Sequence, residues 1–100
     1  MRVYLSGAIT GVPNLNWEQF KNAERELISK GYTVINPLRL DHSNCKKYID
    51  YMSVDYKALL TCDTIYMLKG YKFSRGAKLE LRIALKNGLR VEREVLWNIK

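Results

Sequence analysis

The chain has 100 residues, 47% of them hydrophobic, which suits one modest core and leaves no room for a second, so residues 1–100 are read as a single domain. No stretch approaches the roughly eighteen consecutive apolar residues of a membrane span, and the N-terminal MRVYLSGAIT lacks the apolar run of a secretory signal, so a soluble cytoplasmic protein is expected. The net charge of +7 favours an anionic small ligand, but Lys46 and Lys47 are the only adjacent cations and the rest alternate with acidic or apolar residues, which argues against a nucleic-acid partner.

In chain order, Arg2 to Ser6 reads as a short buried strand that leaves through a loop carrying Gly7, Gly11 and Pro13. A first helix follows: Asn16 is placed to cap it, Gln19 completes a capping-box-like pair, and Trp17, Phe20, Ala23, Leu27 and Ile28 form its apolar stripe. Gly31 ends that helix in the left-handed position. Tyr32 to Ile35 reads as a second strand, stopped by Asn36-Pro37. After a loop from Leu38 to Asn44, a second helix is predicted from about Cys45 to Thr61, with Ile49, Met52, Tyr56, Leu59 and Leu60 inward.

Thr64 to Leu68 is the third strand and Lys69 to Phe73 a loop; Ser74 caps a third helix that ends at Gly88, and a last strand lies near Leu89 to Val95. This alternation predicts an α/β doubly wound parallel sheet of four to five strands, flavodoxin- or Rossmann-like, in the order 2-1-3-4. Ligands of such sheets bind beyond the carboxyl ends of the strands at the switch point, which directs attention to the loops after strands one and three.

Two acids interrupt apolar stripes. Glu80 shares a face of the third helix with Ala77, Leu81 and Ala84, and Asp55 lies between Met52 and Leu59 on the second. Buried without partners, each would cost several kcal/mol, roughly, so each needs a polar cavity or hydrogen bonds. For Glu80 a structural ion pair with Arg75 or Lys78 competes with a chemical role. Asp63, just ahead of a strand, reads as a turn residue. Ser6-Gly7-Ala8-Ile9-Thr10-Gly11 offers hydroxyls and backbone N–H groups to a sugar or phosphate, and Ser74-Arg75-Gly76 offers a hydroxyl, a cation and a helix N-terminus. Neither segment is a Walker loop or a GxGxxG fingerprint. Cys45 and Cys62 lack CxxC spacing and His42 is the only histidine, so reduced thiols, no metal site and no cofactor are expected.

Together, Tyr4-Leu5-Ser6-Gly7-Ala8-Ile9-Thr10-Gly11, Met52-Ser53-Val54-Asp55, Cys62-Asp63 and Ser74-Arg75-Gly76-Ala77-Lys78-Leu79-Glu80, followed by Ala84 and Gly88, resemble the nucleoside 2-deoxyribosyltransferase-like superfamily, which includes the 2'-deoxynucleoside 5'-phosphate N-hydrolases. The resemblance implies that Glu80 is the nucleophile, Tyr4 orients it, Asp55 is the acid near sugar and base, Ser74 meets a 5'-phosphate, and Gly7, Thr10 and Gly11 lie against sugar or phosphate. Ala8 stands where other members offer Pro or Ser. The implied activity is cleavage or transfer at the N-glycosidic bond of a nucleoside or its 5'-monophosphate through a covalent glycosyl-Glu80 intermediate. The alternative is a non-catalytic protein that senses or sequesters a nucleotide; the intact Tyr4, Asp55 and Glu80 favour the enzyme. A homodimer or larger homo-oligomer is expected, with Tyr48, Tyr51 and Trp97 as aromatic surface.

Overall fold

A computed structural model of the chain describes residues 1–94. Strands and helices alternate: β1 (Arg2–Ser6), α1 (Trp17–Ser29), β2 (Thr33–Ile35), α2 (Tyr48–Leu59), β3 (Thr64–Met67), α3 (Arg75–Lys86) and β4 (Arg90–Arg93), with short 3-10 turns at Pro13–Asn16, Pro37–Arg39 and Tyr71–Phe73. The four strands form one all-parallel sheet in the expected order β2-β1-β3-β4. The chain thus switches direction at β1, whose neighbours are β2 and β3. The expected last strand reached to Val95; that residue and the tail with Trp97 lie outside the described residues.

Alternation along β1 divides the core. Val3 and Leu5 point to one face and pack with Phe20, Ala23 and Leu27 of α1 and with Leu68. Tyr4 points to the other, where it meets Ile65, Met67, Leu59 of α2, and Ala77 and Ala84 of α3. Phe20, Leu5, Leu59 and Ile65 are fully buried, and each such side chain contributes about 1.5–3 kcal/mol over its exposed state. The alanines let α3 lie close to the sheet, which brings the residue between them, Glu80, under the helix rather than beside it.

Several local expectations need correction. Asn16 adopts a left-handed backbone (φ 61°) and does not cap α1. Its amide instead donates to the Ala8 carbonyl (2.9 Å) and to Gln19 Oε1 (2.6 Å), so the Asn16–Gln19 pair ties loop to helix through side chains. Ile28 is exposed, its place in the stripe taken by buried Glu24. Helix α2 starts at Tyr48 rather than Cys45, because the N–H groups of Lys46 and Lys47 are held by the Asp50 carboxylate (3.1 and 3.0 Å) before the helix begins. Ile49 and Leu60, in the first turn of α2 and just past its end, are exposed.

Other punctuation is as predicted. Ser74 caps α3, its Oγ accepting from the Ala77 N–H at 3.1 Å. Gly31 carries a left-handed φ of 92° just past α1. Asp63 accepts from the Arg2 N–H (3.0 Å) and from the Thr64 hydroxyl (2.8 Å), the turn role expected of it. Among the described residues no helix is long and apolar enough to cross a membrane.

Candidate functional site

The site grows from the spacing of two hydroxyls on one strand. Tyr4 and Ser6 are two residues apart on β1 and so emerge on the same face, toward α2 and α3. Both meet Glu80: the Tyr4 hydroxyl donates to Oε2 and the Ser6 hydroxyl to Oε1, each at 2.7 Å. Glu80 is 6% exposed, and Tyr4 and Ser6 are fully buried. Each carboxylate oxygen is therefore held by one neutral donor. Arg75 and Lys78, the partners required by a structural ion pair, are exposed. The ion pairs among the described residues join Lys30 to Glu26 and Arg39 to Glu24, His42 contacts Asp55, and none of the three involves Glu80.

Burial without a cation has a predictable electrostatic result. Desolvation pushes the Glu80 carboxyl up to about 7; the Ser6 and Tyr4 hydrogen bonds pull against this, and the nearby Asp55 charge adds to it. The Tyr4 phenol is driven well above its ordinary value by burial, then by the charges of Glu80 and Asp55, so it remains a donor. On α2, Asp55 is half-buried, and desolvation raises its carboxyl while a hydrogen bond from His42 restrains the rise. The Tyr56 phenol is likewise raised by burial and then by Glu80, with a smaller contribution from Asp55. Both acids thus bear on the same pair of tyrosines, so residues of α2, α3 and the end of β1 form one acidic cluster around Glu80. Tyr48, in the first turn of α2, reaches the start of α3: a Cβ added at Gly76 would lie 3.5 Å from its hydroxyl.

The loops are placed less uniformly. Gly7 is buried, and a Cβ there would come within 2.9 Å of Leu68 Cβ, so its lack of a side chain is demanded by the close approach of the β1 and β3 ends. Ala8 is half-buried, while Ile9 packs against the core on the α1 face and turns away from Glu80. Thr10 and Gly11 are exposed, Gly11 with a left-handed φ of 84°. At the head of α3, Ser74 and Gly76 are half-buried and Arg75 is exposed. The Ser74 oxygen serves the helix cap, which leaves its O–H free to donate to an anion.

Two features escape sequence reasoning. Ser6 emerges as a direct partner of Glu80, which the shared face of Tyr4 and Ser6 foreshadows once the strand is placed. His42 lies across an irregular loop and forms a 2.9 Å contact from Nε2 to Asp55 Oδ1; no periodicity relates the two. Among the described residues, no cluster of three or more His, Cys, Asp or Glu side chains is arranged to hold a metal.

No curated protein matches the chain. Residues 1–93 match the family described as Domain of unknown function (DUF4406), which covers β1 to β4 and every residue of the cleft. The chain belongs to the DUF4406 family.

Proposed function

We propose that the cleft binds a nucleoside or its 5'-monophosphate and cleaves the N-glycosidic bond, with Glu80 as nucleophile. The observation that carries this reading is a buried carboxylate whose two oxygens are each held at 2.7 Å by a neutral hydroxyl, with no cation paired to it among the described residues. A structural acid is ordinarily neutralised by an opposite charge; one oriented by hydroxyls keeps its lone pairs available to a carbon electrophile. The motifs shared with the nucleoside 2-deoxyribosyltransferase-like superfamily supply the substrate class.

In the first step a Glu80 oxygen bonds to the anomeric carbon as the C–N bond breaks, through an oxocarbenium-like transition state. The bonding pair leaves with the base, which takes a proton from the Asp55 carboxylic acid. Water then attacks the anomeric carbon of the glycosyl ester, gives its proton to Asp55 and releases Glu80 as carboxylate, with net retention. A second base in place of water makes the same site a transferase. Tyr4 and Ser6 orient Glu80 throughout, and the Ser74 hydroxyl at the head of α3 is the donor available to a 5'-phosphate. Tyr48 and Tyr51, 58% and 44% exposed, give the α2 side an aromatic surface suited to pairing with a second copy.

A panel of nucleosides, deoxynucleosides and their 5'-monophosphates, assayed chromatographically for free base with and without an acceptor base, tests the reading. Release of base, together with a glycosyl adduct on Glu80 by mass spectrometry, is the expected result. Saturable binding with no base released from any member would leave a nucleotide-binding protein in its place.

A further inference from the structure

On the reading of the cleft just given, Asp55 must be a carboxylic acid when the base departs and an anion just afterwards, so whatever holds Asp55 bears on the reaction. We propose that His42 is the positioning residue for this acid: its Nε2–H donates to Asp55 Oδ1, fixes the carboxyl in the cleft and receives the negative charge as it arrives there.

The geometry has two independent anchors. His42 Nε2 is 2.9 Å from Asp55 Oδ1, and the imidazole ring stacks on Tyr51, with centroids 5.3 Å apart and planes 26° from parallel. Tyr51 and Asp55 are four residues apart on α2, one turn, so the ring lies along the helix and spans both. The His42 and Asp55 side chains are 22% and 13% exposed. Among the described residues Oδ2 has no hydrogen-bond partner, which makes it the oxygen free to carry the proton.

Charge accounting gives the pair its task. The proposed reaction requires Glu80 as an anion and Asp55 as a neutral acid before the first step, and leaves Glu80 an ester and Asp55 the anion after it. One negative charge has moved from α3 to α2. The titratable groups on the Asp55 side of the His42–Asp55 pair are Glu80 from α3, Tyr4 from β1, Tyr56 from α2 and Cys45 from the loop before α2. On the His42 side are Asp41 from that loop and Tyr51 from α2. Of the side chains around Asp55, His42 is the one in hydrogen-bond contact with its carboxyl.

H42F keeps an aromatic ring against Tyr51 and deletes the donor. Its kcat for base release should fall roughly 10- to 100-fold with KM within about 3-fold, as expected when an acid loses its orientation rather than its substrate. Because the His42 contact lowers the Asp55 pKa, H42F should also move the basic limb of the kcat–pH profile upward. H42Q, whose amide reaches the Nε2 position, should restore most of kcat, and H42F should add no further loss in a D55N background. If H42F does not fold, H42N, too short to reach Oδ1, takes its place. Wild-type kcat with an unmoved basic limb in the folded variant overturns the proposal, as does an equal loss in D55N. Titration of the Asp55 carboxyl carbon by NMR separates the two readings, since it needs no turnover. A raised Asp55 pKa in H42F beside an inactive wild type would sink the glycosidase alone; an unmoved pKa beside an active wild type would sink the role of His42 alone.

Discussion

Glu24 and Glu80 are both buried acids on inward stripes of helices, on opposite faces of one sheet, and they are held in opposite ways. On the α1 face, Arg39 grips Glu24 with two hydrogen bonds of 2.7 Å and lays its guanidinium over the Trp17 ring at 4.8 Å. Those bonds bring the Glu24 carboxyl below its ordinary value, with burial opposing them. On the other face Glu80 meets only hydroxyls, and burial carries it up to about 7. Only the partner separates a carboxylate fastened by a cation from one left without a counter-charge. A bidentate arginine occupies a carboxylate and lowers its basicity; two hydroxyls aim it and leave its charge uncompensated.

Substitution should separate the two acids most strongly. E80Q should retain the fold and ligand binding but lose base release by about 10³-fold or more, because the amide keeps the shape and cannot form the ester. E24Q should do the reverse, keeping turnover within about 2-fold while lowering Tm, since it disrupts an ion pair on the opposite face of the sheet from Glu80. Turnover in folded E80Q at the wild-type rate would remove the functional difference between the two acids.

The two acids should also differ in how they make stability depend on pH. A carboxyl raised from 4.5 to about 7 stabilises the fold below pH 4.5, and that contribution is lost as pH rises through 7. For a group this buried the difference is on the order of 3 kcal/mol. Urea titrations from pH 4.5 to 8.5 should therefore show E80Q gaining on wild type as pH increases. Glu24 has the opposite sign: its depressed pKa stabilises the fold above pH 4.5, and that part is lost as pH falls through the folded value. Its effect should be smaller, since Arg39 is half exposed and solvent screens the pair.

Removing either hydroxyl is the finest cut. Y4F and S6A each delete a hydrogen bond to Glu80, worth roughly 1.5–3 kcal/mol to its charged form, so kcat should fall about 10- to 100-fold apiece. Both donors lower the Glu80 pKa, and Glu80 must be ionised to attack, so the acidic limb of the kcat–pH profile should move to higher pH in each. A limb that stays in place would mean that the hydroxyls pack against Glu80 without tuning it.

The fold was legible because its signals are local. Hydrophobic periodicity, the Ser74 cap, Gly31 and the Asn36-Pro37 stop each act within a few residues, and the strand order follows from helical crossovers. Glu80 was legible as an interruption, a charge between alanines. Tyr4 was expected beside it only through the family resemblance and Ser6 was not expected there at all, because what reaches Glu80 depends on how β1 is placed by its pairing with β3, more than sixty residues away in sequence. Glu24 was overlooked because Ile28 completes a more apolar stripe on paper; the helix rotates Glu24 inward to meet an arginine supplied by the turn after β2. His42 had no such signal, since an irregular loop imposes no period on what it places.

The alternation of β1 has one more consequence, for how the chain finds its fold. If β1 slipped by one residue along β3, Val3 and Leu5 would face α3 and the two hydroxyls would be driven into the apolar packing of α1. Glu80 would then be enclosed by aliphatic carbon with no donor, a state costing several kcal/mol, roughly, beyond the lost contacts. The same carboxylate that makes the native protein less stable at neutral pH penalises the misaligned sheet far more. The three side chains therefore act as a register check during folding, and a variant apolar at all three positions should be a more permissive folder, prone to settling with its central strand out of step.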